Sequence, residues 1–421
     1  MAITLDDMSD LGPPISNWTG RFYIAFTALA FVVVTAYTSR PLSLRILVTA
    51  MVASDIYLLL TMPDIMGHIP GFDPLIANFI VADLMRVVDL YFLRDESRAL
   101  KKKDGGDSKG DVKGQKKFIK MSGFQAFDYL IFNHRNIGTP IQARNVPKFD
   151  PSNPSYTPSR GKFLLRKFLT IFLAYGLLDL LTCQPAPDAA LYSRRQEFFF
   201  TRLNEVTWDE IYFRILTNLN LWASTYLLIQ YVYAIVACVC VGSGLWKPAD
   251  FPPLVGSLAK DYTIRNHWGR FWHQVIQYPL TTNGAALTKA ILPRSLQRGF
   301  ISRYTKIFFV FTLSGVSHAV SPLGSTKGSQ QIRGTIFFFP AQVMGIMVED
   351  FVIAAYNKVS GRDGKSETPW WAKLVGRVWV MAWMCWCCPI WVYPTLRRGG
   401  EGMVPYSFIR NTRNLKEVWE F

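Results

Sequence analysis

The chain has 421 residues, half of them hydrophobic and 14% aromatic, and only 18% are charged. Average soluble domains carry about 25% charge. The net charge is +16, but no nucleic-acid motif accompanies it; much of the Lys and Arg falls in loops between apolar runs, where basic residues set topology and meet anionic headgroups.

Several windows of about 18 to 25 residues are almost free of charge, enough to cross a hydrocarbon core of about 30 Å as a helix. Open sheets would leave backbone groups unpaired in lipid. The fold class expected is therefore all-α, a polytopic transmembrane helix bundle with roughly seven to nine spans. Six cysteines, five of them in apolar runs, point to neither a disulfide framework nor a zinc site. Palmitoylation at Cys387 or Cys388 is a weaker reading.

The first apolar run is Phe22 to Tyr37, preceded by Asp6, Asp7 and Asp10 and followed by Arg40 and Arg45. Acidic residues before a run argue against a cleavable signal peptide, so a retained anchor is expected. The charge bias places the N-terminus outside the cytosol, in the endoplasmic reticulum lumen. Asn17-Trp18-Thr19 is then a glycosylation sequon on the permitted face. A second run covers Ile46 to Met62, and Asp55 within it must face protein or water. Pro63 to Pro74 reads as a loop.

Leu75 to Leu93 is interrupted by Asp83, Arg86 and Asp89, which are spaced by three and can pair along one helical face. It reads equally as a span or an interfacial helix. Lys101 to Lys117, KKKDGGDSKGDVKGQKK, has a single apolar residue, Val112, and is expected to be a disordered cytosolic loop touching lipid. Gly138-Thr139-Pro140 then marks a turn. Further spans are expected at Phe168 to Leu181, Ile215 to Val241, Lys306 to Val320, Thr335 to Tyr356 and Trp371 to Trp391. Strict alternation would put Arg397, Arg398, Arg410, Arg413 and Lys416 in the lumen, whereas the charge rule puts them in the cytosol. One segment must be re-entrant, interfacial or miscounted. The divisions are N-terminal transmembrane segments at 1–95, the basic loop at 96–125, a core at 126–400 and a tail at 401–421.

Two clusters carry the chemistry. His318 ends the apolar stretch IFFVFTLSGVSHAV, flanked by the small residues Ser314, Gly315, Ser317 and Ala319. An ionisable residue at membrane depth is costly and is read as functional by default, and an imidazole exchanges a proton near neutral pH. Upstream lies RNHWGRFWHQ, residues 265–274. Read as one helix, it puts Arg270, His273, Gln274 and Gln277 on a polar face and Trp268, Phe271 and Trp272 on the other. Glu349 and Asp350 read as helix-packing partners or cavity-lining acids.

These segments resemble the wax synthase-like branch of the membrane-bound O-acyltransferases (MBOAT), in particular fungal members of secondary-metabolite pathways. The resemblance rests on Arg270-Phe271-Trp272-His273-Gln274, on Leu313-Ser314-Gly315-Val316-Ser317-His318, and on the prolines at 252 and 253. It also rests on Asn133 to Pro140, where Asn136 stands in place of a family glycine. It covers roughly residues 125 to 400. It departs at His267, where an aromatic is common, and at Ala319, where many relatives carry an acid.

The resemblance implies an MBOAT-like fold and transfer of an acyl group, acetyl foremost, from acetyl-CoA as co-substrate to a hydroxyl of a hydrophobic terpenoid or polyketide. His318 would be the general base, and His273 would hold the thioester or its oxyanion. Arg270, Gln274 and Trp272 would contact the coenzyme. No permanently bound cofactor and no metal are implied. A covalent acyl-cysteine, for instance at Cys238 or Cys387, is not expected. A long-chain acyl-CoA:alcohol or sterol acyltransferase is the alternative, and a non-enzymatic transporter using Asp55, Asp83, Glu349 and Asp350 is a second. The partners expected are acyl-CoA, an alcohol and membrane lipid.

Overall fold

A computed structural model describes residues 17–37, 40–61, 73–93, 121–184, 187–320, 329–362, 367–399 and 403–412. The Lys101 to Lys117 loop, most of the Pro63 to Pro74 loop and the tail residues Arg413 and Lys416 lie outside these. The described residues form helices and connecting turns. The main helices are α1 (Asn17–Tyr37), α2 (Leu42–Thr61), α3 (Asp73–Val88), α4 (Gly123–Ile131), α5 (Arg160–Thr182) and α6 (Trp208–Ser243). They continue with α7 (Gln277–Ile291), α8 (Gly299–Val320), α9 (Ser329–Val359), α10 (Trp370–Cys387) and α11 (Pro389–Arg397).

Local chemistry sets several starts. Ser122 and Gln125 form a reciprocal capping box at α4. Thr207 accepts from the Glu210 amide to open α6. Pro340 sits inside α9 without ending it, as proline can in a helix packed among others at membrane depth.

Among the described residues, three helices are long and apolar enough to cross a membrane: 19–37, 208–243 and 331–359. α10 and α11, bent by 45° at Cys388, count as a fourth if taken as one broken span. The expected seven to nine spans are not reached. The Leu75 to Leu93 run yields a 16-residue α-helix continued directly by a five-residue π turn at Asp89–Leu93, with Asp83, Arg86 and Asp89 along it. α5 carries Arg166, Lys167 and Asp179 along its length. Among the described residues the remaining apolar runs carry charges along their helices, and Asp55, Arg86 and Asp179 are buried.

α8 is the helix on which the rest converges. It packs against α9 and α7 on one side and α3 on the other. Small residues allow the approach: a Cβ at Gly315 would lie 3.3 Å from the Phe339 Cβ of α9. A core of Phe311, Phe338, Phe339, Val343 and Trp383 fills the α8–α9–α10 junction. A second core joins α1, α2 and α4 around Phe31, Val48 and Tyr129.

Candidate active site

The 264–274 segment is not one helix. A short α turn at Ile264–Asn266 runs into a π turn at His267–Phe271, and the chain leaves the helix at Trp272, whose φ and ψ are −64° and 156°. The π turn closes with the Trp272 amide donating to His267 O at 2.7 Å. His273 and Gln274 therefore do not share a helical face with Arg270. π turns are concentrated at functional sites.

Four anchors hold this turn. Glu349 of α9 accepts from the Ile264 and Arg265 amides, at 2.6 and 3.0 Å, and so caps its first turn. Asp350 pairs with Arg265 and Arg303 and accepts from Tyr304. Both acids thus have the packing roles that their sequence setting allows. His267, buried, lies 3.1 Å from Asp261 and edge-on to Trp222. The Gly256 amide donates to Phe271 O at 2.8 Å. A Cβ at Gly256 would fall 2.1 Å from Arg270 O, so that approach requires glycine.

The Asn133 to Pro140 stretch fastens the proline segment to α6. Arg135, 4% exposed, donates to Pro252 O at 2.6 Å and Pro253 O at 2.7 Å, and to the Tyr233 hydroxyl at 2.8 Å. Asn136 has φ 53°, in the left-handed region. This explains why asparagine can stand where relatives carry glycine, since it tolerates that conformation better than most side chains.

A cavity of ≈ 470 Å³ opens between these elements. His318, His273 and Trp272 all line it, so the structure brings together three of the five predicted site residues. The wall around them is largely aromatic: Trp222, Trp268, Phe339 and Trp391. His318 stacks on Phe339, centroids 4.7 Å apart and planes at 8°, with Trp391 edge-on at 5.7 Å. Asn78 of α3 places its carboxamide nitrogen 3.3 Å from His318 Nδ1, and its oxygen accepts from the Ser317 hydroxyl at 2.6 Å. His273 Nδ1 is buried without a hydrogen-bond partner. Burial, reinforced by the Arg135 guanidinium, pushes His273 down to about 4, so its ring is neutral at pH 7.

The other two predicted residues are elsewhere. Arg270 is exposed and outside the cavity wall. Gln274 is fully buried, with its amide nitrogen facing Arg270 O and Trp272 O at 3.4 and 3.5 Å. Sequence reasoning passed over Asn78. The available signal was the one that exposed His318, a polar side chain inside an apolar run.

Residues 251–340, which hold the cavity histidines His273 and His318, match the model of the membrane bound O-acyl transferase family. The acetyltransferase nanB of Aspergillus nanangensis is 30% identical over 296 residues, 66% of this chain and 69% of that protein. This chain belongs to the membrane-bound O-acyltransferase family. Other family relatives include the acetyltransferase atnC of an Arthrinium species, 33% identical over 69% of this chain and 66% of its own length. The acetyltransferase spyB of Aspergillus fumigatus is 34% identical over 64% of this chain. The match covers only 46% of spyB, so this chain spans about half to two thirds of these two relatives. Family membership and the apolar helices make it a membrane protein.

Proposed function

We propose that the chain is an acyl-CoA-dependent O-acyltransferase that moves acetyl from acetyl-CoA to a hydroxyl of a hydrophobic terpenoid or polyketide, in the endoplasmic reticulum membrane. The observation that carries this is the pair of histidines, His318 and His273, facing one apolar cavity in a chain whose relatives are named acetyltransferases.

His318 is the general base. Its Nε2 takes the proton of the acceptor hydroxyl from about 2.6 to 3.2 Å, and the alcohol oxygen attacks the thioester carbonyl. The tetrahedral oxyanion collapses, the C–S bond breaks, and the imidazolium returns the proton to the departing sulfur, giving ester and free coenzyme A. Base action at Nε2 requires the hydrogen on Nδ1. Asn78 must then present its oxygen to Nδ1 and its nitrogen to Ser317, a half-turn of the carboxamide that occupies the same volume.

His273 serves as a neutral donor to the oxyanion. Its Nδ1 has no acceptor for a hydrogen, which favours the tautomer with the hydrogen on Nε2, and a preorganised donor in a dry site is worth most where charge develops. Trp272 walls the acyl end. Arg270, exposed at the same turn, suits the coenzyme's phosphates. Gln274, buried behind it, fits a role in shaping the turn.

The test uses microsomes or purified chain with labelled acetyl-CoA and a panel of terpenoid and polyketide alcohols, with the ester sought by mass spectrometry. Acetyl ester formation that disappears in His318→Ala supports the reading. Equal turnover in that variant overturns the base assignment, and ester formed only from palmitoyl-CoA overturns the acetyl assignment.

A further inference from the structure

Besides the exposed Asp250, the cavity lining contains two carboxylates that the proposed reaction does not use. They are Asp55 of α2 and Asp83 of α3. Asp55 is 5% exposed, and its one hydrogen bond is a long one from the Thr27 hydroxyl at 3.3 Å. No basic side chain pairs with it among the described residues. Asp83 receives Arg86 at 3.1 Å and lies 3.3 Å from His134, both through Oδ1. That leaves Oδ2 without a protein donor among the described residues. A carboxyl set into an apolar wall at membrane depth is costly unless it gains donors. One long bond from a hydroxyl does not offset that cost.

We propose that Asp55 and Asp83 form the hydroxyl-recognising end of the acceptor pocket, so that the acceptor carries a second hydroxyl remote from the one that is acylated. The proposal rests on the acyltransferase reading and adds the substrate class. A hydroxyl is the fitting partner because Arg86 already balances Asp83, so the donor still missing there is a neutral one. The spacing sets the scale. Asn78, at His318, and Asp83 are five residues apart on α3, about 7.5 Å along the helix axis. The two polar ends are therefore separated by roughly the span of a fused ring system, with apolar surface between them. The acceptor is accordingly a rigid apolar skeleton with oxygens at both ends.

The test needs no acetyl transfer. Thermal unfolding of the full chain in nanodiscs is followed with perhydrophenanthrene-2,7-diol and with the matching 2-ol. The diol is expected to raise the midpoint more. Asp55→Leu should abolish that difference, weakening diol binding about tenfold, while its own unliganded midpoint stays level or rises because a buried carboxyl is gone. Asp83→Asn should weaken the diol preference in part. Equal shifts from the two alcohols in the unmutated chain, including none, overturn the proposal. So does an Asp55→Leu protein that keeps the diol preference, or tighter Asp55-dependent binding of the 7-amino analogue, which would assign a cation site. Ester formation and its loss in His318→Ala are read separately, so a failure of the acyltransferase reading is seen in that assay and not in this one.

Discussion

Part of the cavity lining, the first wall, comes from residues 251–340 and presents two imidazoles; a second part, the second wall, comes from α1, α2 and α3 and presents a carboxamide and two carboxylates. The first wall is rigidly cross-tied. The 264–271 turn is capped by Glu349, clamped by Gly256 and packed in aromatic rings. Among the described residues, the second meets the His318 ring through the Asn78 side chain. Proton transfer tolerates little misplacement, whereas recognition of an acceptor can vary with the substrate. On the proposed reading the labour is divided: the family segment supplies the chemistry and the N-terminal helices supply the choice of acceptor.

The sharpest way to break that comparison is to strip the first wall. His318→Ala should lower ester formation about 10²- to 10⁴-fold, the usual contribution of a positioned base, with expression unchanged. His273→Ala should cost about 10²- to 10³-fold, as for loss of one oxyanion donor. His273 also carries a pH signature. Its value is pushed down to about 4 in the folded chain, against about 6.5 when unfolded. Its contribution to stability is complete above about 6.5 and is lost as pH falls from there towards 4. Between pH 6.5 and 4 the thermal midpoint of the unmutated protein should therefore fall more steeply than that of His273→Gln. Parallel curves would remove His273 as a buried neutral group.

The second wall is tested by Asn78. Asn78→Leu keeps the volume but removes the hydrogen bond to Nδ1, and should lower kcat about tenfold with a displaced pH profile and little change in KM. An unchanged profile would mean that α3 only packs against the catalytic helix.

These two walls were not equally legible in the sequence. His318 declared itself because an imidazole at membrane depth is conspicuous, and His273 because it stood in a dense aromatic cluster. Asn78 and the role of Asp55 did not, because they meet the cavity only through the packing of α3 and α2 on distant helices, which local spacing does not encode. The 264–274 segment misled for a related reason. Its periodicity is compatible with a helix, but Gly256 and the Glu349 cap hold it in a π turn that ends at Trp272. Apolar length likewise does not tell whether charges such as Asp179 find partners: that carboxylate accepts from Ser407 and from the Phe408 amide.

A smaller effect is expected where the first wall is fastened. Glu349→Gln exchanges a carboxylate that caps two backbone amides for a neutral amide. Loss of charge-assisted bonds to buried amides should destabilise by about 1–3 kcal/mol, seen as a lower thermal midpoint, with ester formation falling because the turn carrying His273 loosens. If Asp55→Leu raised the midpoint while Glu349→Gln lowered it, the two buried acids would be separated by function: one holds the protein together, and the other waits for a ligand.

The smallest effect concerns Asn136. Its φ of 53° is one that glycine adopts freely, and its buried amide atoms have no hydrogen-bond partner. Asn136→Gly keeps the backbone conformation and removes two unsatisfied polar atoms, at the cost of a more flexible unfolded chain. These terms oppose each other, so the midpoint should move by less than about 0.5 kcal/mol equivalent. Asn136→Val should instead cost about 1–2 kcal/mol, because a β-branched side chain is strained in the left-handed region. A valine variant as stable as the parent would show that the turn relaxes away from positive φ. In that case Arg135 would lose its fixed approach to the Pro252 and Pro253 carbonyls, and the first wall would be held less firmly than the structure shows.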